Sequence, residues 1–202
     1  MKLYYKPASC SLASHILLKE IEADFEIESV NTETSITESG SDYTQINPKK
    51  YVPALYLRED LIVTEGPAIL QYLADLAPDF EMLPAVRSES RAKVIEHLTY
   101  TSSELHKAFS PFFNATADEA TKAKAKNEVS KKLQYLDGIF SDGRHFLVDN
   151  KISIADLYMF VVCNWCNFVG ISLEETPHVA RFVERIAKRP ATQEAMKAEG
   201  LL

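Results

Sequence analysis

Residues 2–30 read KLYYKPASCSLASHILLKEIEADFEIESV, two short strand patterns with a helical pattern between them. Residues 2–5 and 25–30 carry the aromatic and β-branched content of strands. Residues 12–21 put Leu12, Ala13, Ile16 and Leu17 at helical spacing. A strand, a helix and a second strand predict a βαβ unit. Beyond a Ser/Gly-rich stretch at 38–42, residues 54–57 and 61–64 predict a hairpin through the polar turn at 58–60. Residues 66–76 then predict a helix with Ile69, Leu70, Leu73 and Leu76 on one face. Pro67 suits its first turn, where no intrahelical N–H is needed.

The order β-α-β-(α)-β-β-α is that of a thioredoxin-like domain, placed at residues 1–80. After a linker at 81–86, no strand pattern of any length follows. Residues 87–109, 118–140, 153–169, 177–187 and 191–198 carry helical periodicity, punctuated by Pro111, Gly143, Gly170 and Pro190. The fold class expected is therefore an α/β thioredoxin-like N-terminal domain followed by an all-α domain over 87–202. At Ser153-Ile-Ala-Asp156 a capping box is expected, with Asp156 reaching back to the cap N–H.

The 202 residues are 46% hydrophobic and 25% charged, the ordinary mix of a globular chain. A formal charge of −7 disfavours polyanionic partners, so no nucleic acid and no anionic membrane surface is expected. Lys2 and Lys6 are followed by no apolar signal core, and the run 157–163 is too short to span a bilayer. Three cysteines without a signal fit a reducing, cytoplasmic compartment. Cys163 and Cys166 form a C-x-x-C, yet it falls mid-helix in an apolar stretch with Trp165. Redox pairs sit at helix starts, and zinc needs two further ligands that the spacing does not offer. Core packing is the better reading, and no metal is expected.

Cys10 follows the first strand and opens the first helix, where the helix dipole favours a thiolate. Ser9, Ser11 and Tyr5 are the other hydroxyl-bearing candidates near it: Tyr5 reads as strand core, and Ser11 as a helix-start residue or a helper to the thiol.

Along its whole length the chain resembles bacterial beta-class glutathione transferases. The resemblance rests on LYYKP-x-x-CSLASHI (3–16), ESG-x-DY (38–43), INPK-x-x-VPAL (46–55), TEGPAILQYLAD (64–75), SELHKAFSP (103–111), SIADLY (153–158) and RPATQEAMKAEGL (189–201). It implies a homodimer in which each chain takes reduced glutathione as co-substrate, a metal-free site, and conjugation of glutathione to small hydrophobic electrophiles. Thiol–disulfide exchange through Cys10 is a further implied activity. The alternative is a non-catalytic ligand carrier or regulator of the same fold, which the presence of the cysteine and the glutathione contacts disfavours.

Residue by residue, the resemblance places the glutathione sulfur beside Cys10 and His106. It makes Val52-Pro53 a cis bond whose Val52 backbone pairs with the tripeptide. Glu65 would meet the γ-glutamyl ammonium, and the Gly66 N–H its carboxylate. Tyr51, Thr99 and Lys107 join the glutathione contacts, while Ser103 and Glu104 approach the partner's glutathione. Phe109, Phe112, Phe113 and Trp165 would line the electrophile pocket. The chain departs from the family pattern at Ser35, where a lysine is usual, at Tyr51 for glutamine, at Thr99 for asparagine, and at Ala8-Ser9. With no lysine at 35, either Lys49 or Lys107 supplies the cation for the glycyl carboxylate, or glutathione affinity is lower.

Overall fold

The computed structural model describes residues 1–202. The chain forms two compact units, Met1–Leu83 together with Lys188–Leu202, and Pro84–Ala187.

In the first unit the strands are β1 (Lys2–Tyr5), β2 (Glu26–Asn31), β3 (Ile36–Thr37), β4 (Ala54–Arg58) and β5 (Leu61–Thr64). They form one sheet in the order β3-β2-β1-β4-β5. β1 and β2 run parallel, joined through α1 (Ser11–Glu20); the other pairs are antiparallel. α2 (Gly66–Leu76) follows β5 with Pro67 in its first turn.

Strand alternation sends Leu3 and Leu55, both fully buried, to the face opposite Tyr4 and Ala54. Tyr4, Val30, Tyr43 and Ala54 form a separate buried cluster. The expected helix between the second and third long strands is absent there. Residues 32–53 instead give the two-residue β3 and one 3₁₀ turn, Tyr43–Gln45. Local polar chemistry explains the difference. The Asn31 side chain accepts from Glu33 N–H and Thr34 N–H, and Asp42 caps the 3₁₀ turn through Thr44 N–H, both turn devices that compete with a helix. Tyr43, wholly buried, fills the space against Tyr4 with ring centroids 5.7 Å apart. Burial pushes its hydroxyl up to about 12, and it donates to Tyr51 O at 2.8 Å.

α9 (Pro190–Ala198) also packs in this unit, against α1. The expected block 87–202 therefore parts at Lys188. The reason is specific pairing with α1: Arg189 grips Glu20 through Nε and Nη2 at 2.5 and 2.8 Å, and Glu199 meets His15 Nδ1 at 2.9 Å. Covered by its neighbours, α1 is buried at every position from Ser11 to Leu18.

The second unit contains α3 (Glu89–Tyr100), α4 (His106–Phe109), α5 (Glu119–Phe140), α6 (Ile154–Asn164), α7 (Cys166–Val169) and α8 (Pro177–Ala187). α6 is the central helix, buried at every residue from Ile154 to Cys163, as a helix apolar on all sides must be. Its N-terminus carries the expected capping box: Asp156 accepts from Ser153 N–H at 2.8 Å and Ser153 Oγ–H at 2.7 Å. The same carboxylate takes Leu147 N–H at 2.9 Å, which ties down the preceding loop. Asp137 on α5 accepts from His178 and Val179 N–H at the start of α8, and Phe140 stacks on Phe182 at 4.7 Å. Cys163 and Cys166 are wholly buried, and burial pushes both thiols upward, the core role expected of them. No helix is long and apolar enough to cross a membrane.

Candidate functional site

The register of the first unit gathers half of the expected residues. Tyr4 pairs with Ala54, and Ala54 with Thr64. The C-terminal ends of β1 and β5 therefore flank the N-terminal end of β4. The loop holding Cys10, the Val52-Pro53 pair and the Glu65-Gly66 pair all leave the sheet at that one end.

Cys10 is the N-cap of α1, half-buried, with Sγ 3.5 Å from Val52 O. The Val52–Pro53 bond is cis, as the resemblance implied. Its approach is braced by Tyr43 Oη and Asn47 Nδ2, which both donate to Tyr51 O, at 2.8 and 2.7 Å. The Tyr51 ring itself is exposed. Glu65 stands at the N-cap of α2 with φ 72°, a conformation that costs a side-chain-bearing residue roughly 1–3 kcal/mol and that clusters at functional sites. Its carboxylate pairs with Lys49 Nζ, which also donates to Thr64 Oγ1 at 2.9 Å. The buried Gly66 begins the helix, where backbone N–H groups and the dipole favour an anion.

The serines beside Cys10 serve the loop. Ser11, fully buried, donates to Lys6 O and accepts from Lys6 N–H, both at 3.3 Å, with Ser9 Oγ 2.7 Å away. Tyr5 is buried strand core, as expected. Sequence reasoning missed the anchor behind this loop. Glu199, with a fully buried side chain, accepts from Ala8 N–H at 3.3 Å and faces His15 Nδ1 at 2.9 Å. Burial raises its carboxyl above the ordinary value, against the pull of His15. The one local signal was a histidine among the apolar residues of α1. Ser35, where the resemblance calls for lysine, is buried at φ 59° and its carbonyl receives Tyr43 N–H at 2.8 Å.

The second unit presents the other half. The helix that starts as α3 passes through a π turn, Thr101–Leu105, before α4. His106 N–H bonds back to Thr101 O, five residues away. Such turns are rare and frequent at functional sites, and this one carries Ser103 and Glu104. Thr99, Ser103, Glu104 and Lys107 are all exposed. Ser103 Oγ donates to Thr99 O at 2.9 Å, and Glu104 pairs with Lys132 at 2.8 Å. His106 turns inward. Its Nδ1 is 2.8 Å from Tyr158 Oη, and its ring meets Trp165 edge-on at 4.7 Å. Burial, with a smaller push from Lys107, holds its pKa down at about 4. Phe109 and Phe113 also pack edge-on to Trp165, at 5.6 and 5.0 Å, with Phe112 against Phe109 at 6.2 Å. The four aromatics expected to line an electrophile pocket thus share one cluster with His106. Tyr158 lies in the quoted SIADLY stretch, but nothing in that pattern marked its hydroxyl for His106. No group of three His, Cys, Asp or Glu side chains is arranged to hold a metal.

The chain matches the glutathione S-transferase N-terminal domain model over residues 1–75 and the C-terminal domain model over residues 100–190. It is 46% identical to glutathione S-transferase GstA of Escherichia coli O157:H7, with both chains covered in full. Among solved structures it is similar to a Methylococcus capsulatus glutathione transferase at 44% identity and a TM-score of 0.97, covering 100% of this chain and 99% of that one. A beta-class enzyme of Sphingomonas chungbukensis gives 39% and 0.96, and a sphingomonad enzyme in complex with glutathione gives 40% and 0.95, each with both chains fully covered.

Proposed function

Because the chain belongs to the glutathione transferase family, as a bacterial beta-class enzyme that conjugates glutathione to electrophiles, we propose how its own residues divide that work. The reaction forms a bond between the glutathione sulfur and an electrophilic carbon and expels the leaving group. The protein's task is to hold the sulfur as thiolate and the carbon within reach.

Cys10 stands beside the glutathione sulfur at the start of α1. The Val52 backbone pairs with the cysteinyl backbone of the tripeptide, as an added strand pairs with an edge, and Tyr51 borders it. Glu65 receives the γ-glutamyl ammonium in place of Lys49, and Gly66 N–H receives the neighbouring carboxylate. From the helical unit, Thr99, Lys107 and His106 contribute to glutathione binding. Lys107, exposed and without an acidic partner, is the cation for the glycyl carboxylate that position 35 does not supply. His106 serves the sulfur. Phe109, Phe112, Phe113 and Trp165 receive the apolar body of the electrophile. The working form is a homodimer, with Ser103 and Glu104 directed to the partner's glutathione, in the cytoplasm, where glutathione is kept reduced.

Cys10 also supports thiol exchange. Its thiolate attacks the glutathione sulfur of a mixed disulfide and releases the other thiol. A second glutathione thiolate then displaces Cys10, yielding glutathione disulfide. The observation that carries the whole reading is the Cys10 sulfur on the Val52 carbonyl, at the sheet end where Glu65 opens α2 in a strained conformation.

Calorimetry tests the binding half: wild type binds glutathione, and Cys10→Ala loses less in binding than in thiol exchange. No heat at millimolar glutathione refutes it. Conjugation of an aryl halide and reduction of a glutathione mixed disulfide, run side by side, test the rest. Cys10→Ala loses the second activity far more than the first; an equal loss removes the separate role given to Cys10.

A further inference from the structure

We propose that Tyr158 fixes the tautomer of His106, so that Nε2 carries the proton and acts as a hydrogen-bond donor. The inference rests on the reading of His106 as a sulfur-directed group and gives that group its chemical sense.

The geometry is direct. Tyr158 is buried on α6, and its hydroxyl lies 2.8 Å from His106 Nδ1 across 52 residues of sequence. The imidazole is held from its sides as well, edge-on to Trp165 at 4.7 Å and to the Tyr158 ring at 6.1 Å. Burial keeps it neutral at physiological pH. A neutral imidazole has one N–H, and the hydrogen bond made by one nitrogen decides which nitrogen holds it. Two arrangements satisfy a 2.8 Å contact: the phenol donates to Nδ1, or Nδ1–H donates to the phenol oxygen. A phenol is the stronger donor, because its ring withdraws density from the oxygen lone pairs. An sp² imidazole nitrogen is a strong acceptor. The O–H···Nδ1 arrangement therefore prevails, and Nε2 bears the hydrogen.

The consequence is a choice between two roles. An Nε2–H group stabilises a thiolate as a donor, in the manner of a preorganised electrostatic contact. The opposite tautomer would turn a lone pair toward the sulfur, opposing a thiolate and acting as a proton acceptor. Tyr158 is a positioning residue, since it acts through His106. The elements around it are suited to that role. Ser153 and Asp156 lock the first turn of α6 one turn before Tyr158, and the π turn delivers His106 through its own N–H bond to Thr101 O.

The test uses the full-length protein labelled with ¹⁵N-histidine, the His106 signals being identified by their loss in His106→Asn. In wild type at neutral pH, Nε2 is protonated and Nδ1 is not. Tyr158→Phe shifts the pair toward a tautomer mixture. It lowers kcat for aryl-halide conjugation by about 2- to 10-fold, the scale of one neutral hydrogen bond, with little change in KM for glutathione. In the His106→Asn background the same substitution has no further effect. An Nδ1–H tautomer in wild type overturns the proposal. A folded Tyr158→Phe protein with unchanged signals and unchanged kcat overturns it too. If the tautomer is clamped yet His106→Asn conjugates at the wild-type rate, the clamp stands and the role given to His106 falls.

Discussion

Replacing Glu199 with glutamine removes a charge that lies far from Cys10 in sequence and directly behind its loop. The carboxylate is fully buried, as is His15 at 1% exposure. Its two oxygens face two nitrogens, Ala8 N–H at 3.3 Å and His15 Nδ1 at 2.9 Å. With the carboxylate ionised, both nitrogens are donors. A glutamine of the same shape offers one acceptor oxygen and one amide that must turn toward a donor. The amide oxygen keeps Ala8 N–H, and the amide N–H meets His15 only in the tautomer whose Nδ1 is unprotonated, so the charge assistance of both contacts is lost in the interior. Hydrogen bonds to charged groups are worth about 1.5–3 kcal/mol, so Glu199→Gln destabilises by about 2 kcal/mol. At a urea slope of roughly 2 kcal/mol per molar, the midpoint falls by about 1 M, measured at fixed protein concentration because association contributes to stability. The same loss frees Ala8, held at φ 61°, and with it the loop leading to Cys10. Cys163 and Cys166 are buried, so iodoacetamide reports on Cys10, and its alkylation rate changes. A midpoint shift below about 0.2 M with an unaltered alkylation rate would refute the reasoning.

Two further outcomes follow from single residues. Glu65→Gly relieves the positive φ at the N-cap of α2 and raises stability by about 0.5–2 kcal/mol, the strain released less the entropy of a glycine in the unfolded chain. It also weakens glutathione binding by about tenfold or more through loss of the ammonium partner; a less stable Glu65→Gly protein contradicts the strain reading. In the pH profile of stability, His106 and Asp156 tilt opposite ways. The His106 pKa is depressed to about 4, so its contribution is present above its ordinary value of about 6.5 and lost as pH falls toward 4, up to about 3 kcal/mol across the window. Asp156 is raised to about 6 by burial, so its contribution is present below its ordinary value of about 4 and lost as pH rises through 6. Urea midpoints from pH 4 to 7.5 should therefore show the acid side of the profile flattened in His106→Asn, and curves parallel to wild type refute the assignment.

Legibility in the sequence tracked the range of the interactions. The strand–helix–strand of residues 2–30, the hairpin and α2 were readable because each carries its period within a few residues. The bracketed helix of the expected order has no counterpart in residues 32–53. The turns there are set by Asn31 and Asp42 side chains bonding nearby backbone, and the segment's place in the core by one tyrosine. The return of residues 188–202 to α1 had no local sign, because its contacts join residues as far as 184 positions apart. The candidate site divides in the same way. Cys10 at a strand–turn–helix junction and the apolar setting of Cys163 and Cys166 were local facts. The links of Glu65 to Lys49, of His106 to Tyr158 and of Ala8 to Glu199 are tertiary pairings that no spacing rule encodes.

Those tertiary links explain how the strained loops persist. Ala8, Lys50 and Glu65 all have φ above 60° without being glycine, and all lie in the loops that leave the sheet at the Cys10 end. Backbone strain of this kind survives only where the surroundings over-determine it, and each residue has its own restraint. Glu199 holds Ala8 N–H. Asn47 O receives Lys50 N–H at 2.9 Å, while the Asn47 side chain braces Tyr51 O. Glu65 O receives the first two N–H groups of α2 that reach it, from Ala68 and Ile69 at 3.1 and 3.0 Å. Strain and restraint are thus separate residues, and their substitutions must differ in sign. Glu65→Gly removes a source of strain and stabilises, whereas Glu199→Gln removes a restraint and destabilises. If both variants shifted stability in the same direction, the end of the sheet that carries Cys10 would not be a strained structure held in place by its neighbours, and the shape of the Cys10 loop would need another cause.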